Sequence, residues 1–191
     1  MTRNKEEVLT ELLVLRSQDG DVAAWRQLVS IWQQRLYLHA RRITGEHEAG
    51  RDVTQDAWLS MVRGIKKLDD PARFRAWAFR IVSNKATDWV RRQVRRRKML
   101  EVAKDEAERD GNEKEDAATK SNVEIVRSAV RKLSREQRAL LSMFYEDGLE
   151  ISEIASILKI PVGTVKSRMF SIRQELKPLL EQERNNVNNQ G

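Results

Sequence analysis

The chain has 191 residues, of which 40% are hydrophobic and 34% are charged, and its formal net charge at pH 7 is +7. It contains no Cys, which excludes disulfides, thiolate metal ligands and cysteine nucleophiles. No apolar run reaches the roughly 18 residues that a transmembrane helix needs, so we expect no membrane insertion and a cytoplasmic location. The positive charge favours a polyanionic partner, although many soluble proteins are mildly basic.

The composition favours an all-α fold, because Gly and Pro are few and alternating runs of β-branched residues are absent. In the first half of the chain, apolar residues at three- and four-residue spacing predict four helices. These span approximately 5–17, 22–45, 48–67 and 74–97. Asp21 suits the N-cap of the second helix, and Pro71 interrupts the pattern before the fourth. We predict that these helices form one small domain over residues 5–97.

The charge pattern changes abruptly after this domain. The stretch "WVRRQVRRRK", residues 89–98, has six basic residues and no acid, whereas residues 101–116 have eight acids and three bases. Few residues between 101 and 121 are large and apolar, so this segment cannot offset its own ordering entropy. We therefore predict a flexible acidic linker over residues 98–122, and a disordered polar tail over residues 184–191.

The second half of the chain predicts a helix-turn-helix domain over residues 123–183. Its helices span approximately 123–133, 135–147, 151–158 and 162–180. Ser134 and Gln137 form a capping-box pattern before the second of these. A short helix, a three-residue turn and a longer basic helix are typical of the DNA-binding motif. Lys159 occupies the turn position that most often holds Gly, where a left-handed backbone costs about 1 kcal/mol.

The last helix carries the candidate DNA-binding face. Val165 and Met169 can pack against Ile154 and Ala155 of the short helix. That packing leaves the basic and hydroxyl-bearing side chains of the last helix free to reach phosphates and base edges in a major groove. Because tandem amphipathic helices are common, this pattern taken alone leaves a solvated basic helix as an alternative.

Three longer stretches resemble one family. The stretch "LSREQRALLSMFYEDGLEISEIASILKIPVGTVKSRMFSIRQEL" is similar to the fourth conserved region of bacterial sigma factors. "DVTQDAW", residues 52–58, and "FRAWAFRIVSNKATDWVRR", residues 74–92, resemble the second region. With only these two domains, the chain is similar to the extracytoplasmic-function (ECF) group of the sigma-70 family.

The resemblance assigns a partner to the third helix. Its residues Asp52, Gln55, Asp56 and Leu59 share one face at three- and four-residue spacing. Without the resemblance, these residues would be interpreted as a solvent-exposed acidic face. The resemblance implies that they bind the β′ clamp coiled coil of core RNA polymerase, while the C-terminal domain meets the β flap.

The resemblance also assigns the two DNA elements. The candidate −10 residues are Arg73, Arg80, Asn84, Lys85, Asp88, Arg91 and Arg92. The candidate −35 residues are Thr164, Lys166, Ser167, Arg168, Phe170, Ser171 and Arg173, with Arg168 nearest the backbone edge. The loop 68–73 is expected to form part of a pocket for one flipped-out base. Phe79 could offer a stacking platform, or it could equally be buried.

The resemblance implies a sigma factor that binds core RNA polymerase, directs it to promoters and promotes strand opening. Such a protein is not an enzyme and needs no cofactor. An anti-sigma factor is implied as a further partner, and the acidic linker either occupies a basic polymerase channel or is a solvated spacer. The alternative is a stand-alone helix-turn-helix regulator, which leaves residues 52–58 and 74–92 unexplained.

His39 and His47 are poorly spaced for a metal, and we expect them to be solvated or half-buried.

Overall fold

A computed structural model describes residues 5–101 and 122–188 as an all-α protein. The helices are α1 (Lys5–Gln18), α2 (Val22–Thr44), α3 (His47–Gly64), α4 (Phe74–Glu101), α5 (Asn122–Arg131), α6 (Arg135–Tyr145), α7 (Ile151–Leu158) and α8 (Val162–Asn188). Two short 3-10 turns, Ile65–Lys67 and Pro71–Arg73, separate α3 from α4. Most of the predicted linker, residues 102–121, lies outside the described residues.

The N-terminal domain is built around α2, which packs against α1, α3 and α4. Asp21 caps α2 as predicted: its Oδ1 accepts hydrogen bonds from the backbone N–H groups of Ala23 at 2.8 Å and Ala24 at 3.0 Å. Gly45 ends the helix in a left-handed conformation, with φ 78°. The buried core includes Leu28, Trp32, Leu36, Val53, Ala57, Met61, Phe74, Ala78, Phe79 and Val82.

Helix α1 carries apolar residues on more than one side, and only one side is buried. Leu13 and Val14 are buried, whereas Val8, Leu12 and Leu15 are exposed. Only one side of α1 contacts the domain, so its second apolar stripe faces solvent.

His39 is fully buried, so the expectation of a solvated or half-buried side chain is wrong for this residue. Its Nε2 lies 2.8 Å from the Ser83 Oγ, and its ring packs edge-on against Phe79 at 4.9 Å between centroids. Burial lowers the pKa of His39 to about 3, because the charged imidazolium would lose its hydration. His39 is therefore a neutral core residue, whereas His47 is exposed as expected.

The C-terminal domain has the predicted helix-turn-helix geometry. The backbone N–H of Gln137 donates to the Ser134 Oγ at 3.2 Å, and the Gln137 side chain accepts from the Ser134 N–H at 2.8 Å, which completes the capping box. Ile154 and Ala155 of α7 pack against Val165 and Met169 of α8, and all four are buried.

Both long helices extend beyond their predicted ends. Helix α4 continues through Glu101, because its last turns consist of Arg, Lys, Met, Leu and Glu, which are good helix formers. Helix α8 continues to Asn188, past Pro178 and into the stretch that was predicted to be a disordered tail. Its residues 179–184 also favour helix, which the polar character of the following residues obscured in the sequence.

The two domains pack directly against each other, α2 against α6 and α4 against α7. Arg135 donates from Nη1 to the Thr44 carbonyl oxygen at 3.2 Å, at the C-terminal end of α2. Arg42 forms an ion pair with Glu146 at 2.5 Å. On the other side of the seam, Arg75 Nη2 lies 3.5 Å from the Glu153 carboxylate.

Candidate polymerase and nucleic-acid interface

The candidate polymerase-binding residues lie together on the outer face of α3. Asp52, Gln55, Asp56 and Leu59 are all exposed, and Leu59 retains 52% of its accessible surface. The opposite face enters the core: Ala49, Gly50, Val53, Thr54, Ala57, Trp58 and Met61 are buried. The outer face therefore combines two carboxylates with an exposed aliphatic side chain. Such a surface can bind a partner that offers cations around a small apolar contact.

Sequence reasoning missed one member of this face. Val62 is apolar, yet it is 52% exposed. It follows Leu59 by three residues and therefore extends the same outer face. Met61, its neighbour in the sequence, is fully buried. The one signal in the sequence that distinguishes exposed Val62 from buried Met61 is the three-residue spacing between Leu59 and Val62.

A groove of about 480 Å³ joins this face to α4. It is lined by Asp52, Val53 and Asp56 from α3 and by Lys85, Asp88, Trp89, Arg92 and Arg95 from α4. The structure thus brings two candidate polymerase contacts beside three candidate −10 contacts. A partner bound to α3 would lie next to any ligand on α4.

The candidate −10 residues on α4 face away from the domain core. Arg80, Asp88, Arg91 and Arg92 are exposed, and Asn84 and Lys85 are half-buried. The other side of the helix is buried through Phe74, Ala78, Phe79, Val82, Ser83 and Ala86. Asp88 and Arg91 are 3.9 Å apart, so one arginine of the set has a local carboxylate partner.

The loop between α3 and α4 is anchored by a residue that sequence reasoning did not single out. The Gln18 side-chain amide donates to the carbonyl oxygens of Ile65 and Leu68, each at 2.8 Å. Asp70 caps the second 3-10 turn by accepting from the Ala72 N–H at 3.0 Å. Arg73, the last residue of that turn, is exposed and lies 3.4 Å from the Asp70 carboxylate.

Phe79 cannot serve as a stacking platform in this structure. Its side chain is fully buried against His39. Of the two readings open from sequence, the structure supports the buried one.

The candidate −35 residues surround the exposed side of α8. Lys166, Ser167, Arg168, Phe170, Ser171 and Arg173 are exposed, and Thr164 is half-buried. The inner stripe of α8 holds Val165, Met169 and Ile172, all buried. Phe170 keeps 62% of its surface exposed, which is unusual for an aromatic side chain without a ligand.

Two details refine this face. Ser167 donates its hydroxyl to the Thr164 carbonyl at 3.0 Å, and Arg173 Nε donates to the Tyr145 hydroxyl at 3.3 Å. Gln174, which sequence reasoning did not include, is exposed and lies one turn after Phe170. Helical spacing puts Ser167, Phe170 and Gln174 at the centre of the outer face, with Lys166 and Arg168 on opposite flanks.

These features define a class of protein: a two-domain helical DNA-binding protein with a helix-turn-helix and a second, separate charged face. Within residues 5–101 and 122–188, no group of three or more His, Asp or Glu side chains could hold a metal. In the same ranges, every helix is too short or too polar to cross a bilayer.

The comparisons identify the family. The model for sigma-70 region 2 matches residues 28–96, and that for sigma-70, region 4 matches residues 124–176. The chain belongs to the ECF group of the sigma-70 family of sigma factors. As a sigma factor, it directs RNA polymerase to promoters and is not itself an enzyme.

Curated relatives match along nearly their whole length. The chain is 28% identical to the ECF RNA polymerase sigma-E factor of Haemophilus influenzae, over 92% of this chain and 99% of the relative. It is also 28% identical to the ECF RNA polymerase sigma factor SigW of Bacillus subtilis, over 91% of this chain and 98% of the relative.

Solved structures show the same architecture. CnrH, in complex with the cytosolic domain of CnrY, superimposes with a TM-score of 0.61 at 27% identity, covering 91% of this chain and 98% of CnrH. The sigma factor RpoE of Bartonella quintana, in complex with the anti-sigma factor NepR, gives a TM-score of 0.64 at 21% identity, with 84% and 98% covered. The second comparison supports the fold alone.

Proposed function

We propose that three surfaces of this sigma factor divide the work of initiation. The outer face of α3, with Asp52, Gln55, Asp56 and Leu59, binds the β′ clamp coiled coil. The outer face of α4, together with Arg73, binds the −10 element, and α8 binds the −35 element. The observation that carries this proposal is that every residue of these sets is at least partly accessible, while the residues between them form the cores.

The chemistry of α4 fits capture of a single strand next to duplex DNA. Asn84 and Lys85 can hydrogen-bond a base edge, and the arginines can neutralise phosphates. Extruding a base costs a few kcal/mol of stacking, which contacts in the pocket must offset. The loop 68–73, anchored by Gln18, is the proposed wall of that pocket.

The chemistry of α8 fits a major groove. Arg and Lys bind guanine or phosphate, Gln binds adenine in bidentate fashion, and an exposed aromatic ring can contact a thymine methyl group. We add Gln174 to the proposed −35 set, because it lies in the centre of the exposed face.

The partners and location follow from the same proposal. The protein acts in the cytoplasm, where its polymerase is, and the β flap contacts its C-terminal domain. CnrH was solved in complex with the cytosolic domain of CnrY, so a comparable protein partner is proposed here too, and the family resemblance implies that it is an anti-sigma factor. Such a partner would mask the accessible faces of α3 or α8.

Two single substitutions test the division between domains. Run-off transcription with purified core polymerase and genomic DNA first yields both promoter elements. Asn84→Ala should then change base preference within the −10 element, whereas Lys166→Ala should weaken use of the −35 element. If both variants shift preference at the same element, the division is wrong.

Co-elution separates this proposal from a stand-alone helix-turn-helix regulator. A sigma factor should co-elute with core polymerase in a stoichiometric complex, and Asp56→Arg should abolish that complex while leaving duplex binding unchanged. A protein that regulates only through α8 would not co-elute with core polymerase, with or without the substitution.

A further inference from the structure

We propose that Gln18, the last residue of α1, is a positioning residue for recognition of the −10 element. Its side-chain amide holds the α3–α4 loop, residues 65–73, in the shape that receives an unpaired base. The inference rests on the proposed role of this loop as one wall of the base pocket. It goes beyond that role, because it assigns the shape of the wall to a residue that contacts neither DNA nor polymerase.

The loop has short-range hydrogen bonds of its own, but each one stays within a single turn. In the first 3-10 turn, the Leu68 N–H donates to the Ile65 carbonyl oxygen at 3.1 Å. In the second, the Arg73 N–H donates to the Asp70 carbonyl oxygen at 3.0 Å. These bonds shape each turn, but they do not fix one turn relative to the other.

Gln18 adds a contact from a distant part of the chain. Its Nε2 lies 2.8 Å from the Ile65 carbonyl oxygen and 2.8 Å from the Leu68 carbonyl oxygen, which matches the two hydrogens of a side-chain amide. Ile65 is buried and Leu68 is half-buried. The residues on either side of Leu68, Lys67 and Asp69, are exposed. The amide therefore ties the inner side of the loop to α1 and leaves the charged side towards solvent.

This contact fixes the orientation of the peptide unit that joins Leu68 to Asp69. No peptide bond among the described residues is cis, so the C=O and N–H of this unit point in opposite directions. Because the Leu68 carbonyl is bonded to Gln18 on α1, the Asp69 N–H points away from α1. Within the described ranges, no hydrogen bond uses this N–H. If the peptide unit turned over, the outer side of the loop would present an acceptor in place of this donor.

The end of α1 is itself firmly held, so a change at position 18 acts on the loop. Leu13 and Ser17 are buried, and the helix packs against both 3-10 turns. The turn after Gln18 is closed by Arg16, whose Nε donates to the Asp21 carboxylate at 2.9 Å. A loop that already has its bound shape loses less conformational freedom when a base enters. Without the amide, base capture must also order the loop.

The test uses reconstituted holoenzyme and single-stranded −10 oligonucleotides in which one position at a time is an abasic site. The abasic ratio is the affinity for the intact strand divided by the affinity for the strand that lacks one base. The position with the largest ratio in wild type marks the captured base.

Gln18→Met keeps the length of the side chain and removes both donors. It should lower the abasic ratio at the captured position about 5-fold, the equivalent of one hydrogen bond, because only the intact strand uses the ordered loop. Gln34→Met, the same substitution at an exposed position on α2, is the matched control and should keep the wild-type ratio. Affinity for core polymerase should be unchanged in both variants.

A merely structural role for Gln18 predicts a different result. Partial unfolding lowers the amount of active holoenzyme for intact and abasic strands alike, so it leaves their ratio unchanged. An unchanged ratio in Gln18→Met would therefore overturn the proposal. Gln18→Glu has the same shape but offers acceptors in place of both donors, and it should lower the ratio as well. A wild-type ratio in Gln18→Glu would assign the effect to side-chain shape and would also overturn the proposal.

The wild-type result separates this inference from the proposed function. If no abasic position weakens wild-type binding more than the others, the loop captures no base, and both the proposed role of the loop and this inference fail. If one position does so and both Gln18 variants show the wild-type ratio there, only this inference fails.

Discussion

At the scale of single residues, the turn between α7 and α8 stores local strain. Lys159 adopts φ 55° and ψ 43° and is the one non-glycine residue with positive φ among the described residues. A left-handed backbone at such a residue costs about 1 kcal/mol. The Ile160 N–H donates to the Ala155 carbonyl at 3.1 Å, so the turn is fixed by its own hydrogen bonding and the strain persists.

Replacing Lys159 with Gly should therefore stabilise the protein. The expected gain is at most about 1 kcal/mol, because Gly relieves the strain but also increases the entropy of the unfolded chain. Urea denaturation measures it, with Lys159→Ala as the control that removes the side chain and keeps the strain. An equal gain from Ala would assign the effect to the lysine side chain instead.

Two ionisable groups, the half-buried carboxyl of Asp147 and the buried imidazole of His39, respond to acid in opposite ways. Burial raises the pKa of Asp147 to about 6, above its ordinary value of 3.8, although Arg42 and a hydrogen bond from Ser142 counteract it. Between those values the folded state holds a proton that the unfolded state lacks, so this group adds stability as the pH falls. His39, with its pKa lowered to about 3, removes stability as the pH falls below 6.5.

The variant Asp147→Asn should expose the histidine contribution. At pH 7 it should be more stable than wild type, because it no longer buries a charge. From pH 6 to pH 4 its stability should fall more steeply than that of wild type, since only the His39 contribution remains. Urea midpoints at pH 7, 6, 5 and 4 measure both effects, with exposed Asp69→Asn as the control. Parallel pH profiles for wild type and Asp147→Asn would refute this account.

At the scale of helices, the sequence predicted the features that depend on residues close together in the chain, such as helix caps and breaks. Asp21, the Ser134–Gln137 box and the break at Pro71 each act within four residues, so the sequence shows where these helices begin. The spacing of Val165 and Met169 likewise predicted which side of α8 is buried. The family resemblance added the roles of the exposed sides, which periodicity alone does not supply.

Contacts between distant parts of the chain could not be predicted in this way. Gln18 anchors the loop before α4 from 47 and 50 residues away. The groove between α3 and α4 depends on how two helices pack, and so does the exposure of Val62. Helix α1 illustrates the same limit, because both of its sides are apolar and only packing decides which one is buried.

The outer face of α3 gives a prediction for this element. Val62→Ala should weaken binding to core polymerase about tenfold, because two methyl groups buried at an interface contribute about 1.5 kcal/mol. Folding stability should change little, since Val62 is half exposed in the free protein. Val22→Ala is the matched control, the same substitution at an exposed position on α2. Equal affinities for both variants would remove Val62 from the interface.

At the scale of the whole molecule, the packed domains cannot serve both promoter elements at once. Elements centred near −10 and −35 are about 85 Å apart along straight duplex DNA, at about 3.4 Å per base pair. In this structure α4 and α7 are in direct contact. The segment between Glu101 and Asn122 can reach about 70 Å when fully extended, so covalent connectivity permits the domains to separate.

Fluorescence transfer tests this separation, and the absence of native Cys makes labelling specific. Dyes at Ser30→Cys and Ser156→Cys, both exposed, should show high transfer in the free protein and low transfer on promoter-bound holoenzyme. Arg42→Glu should lower transfer in the free protein by breaking the ion pair with Glu146, and Glu146→Arg in the same chain should restore it. Unchanged high transfer on the promoter would mean that the domains stay packed and that only one element is bound at a time.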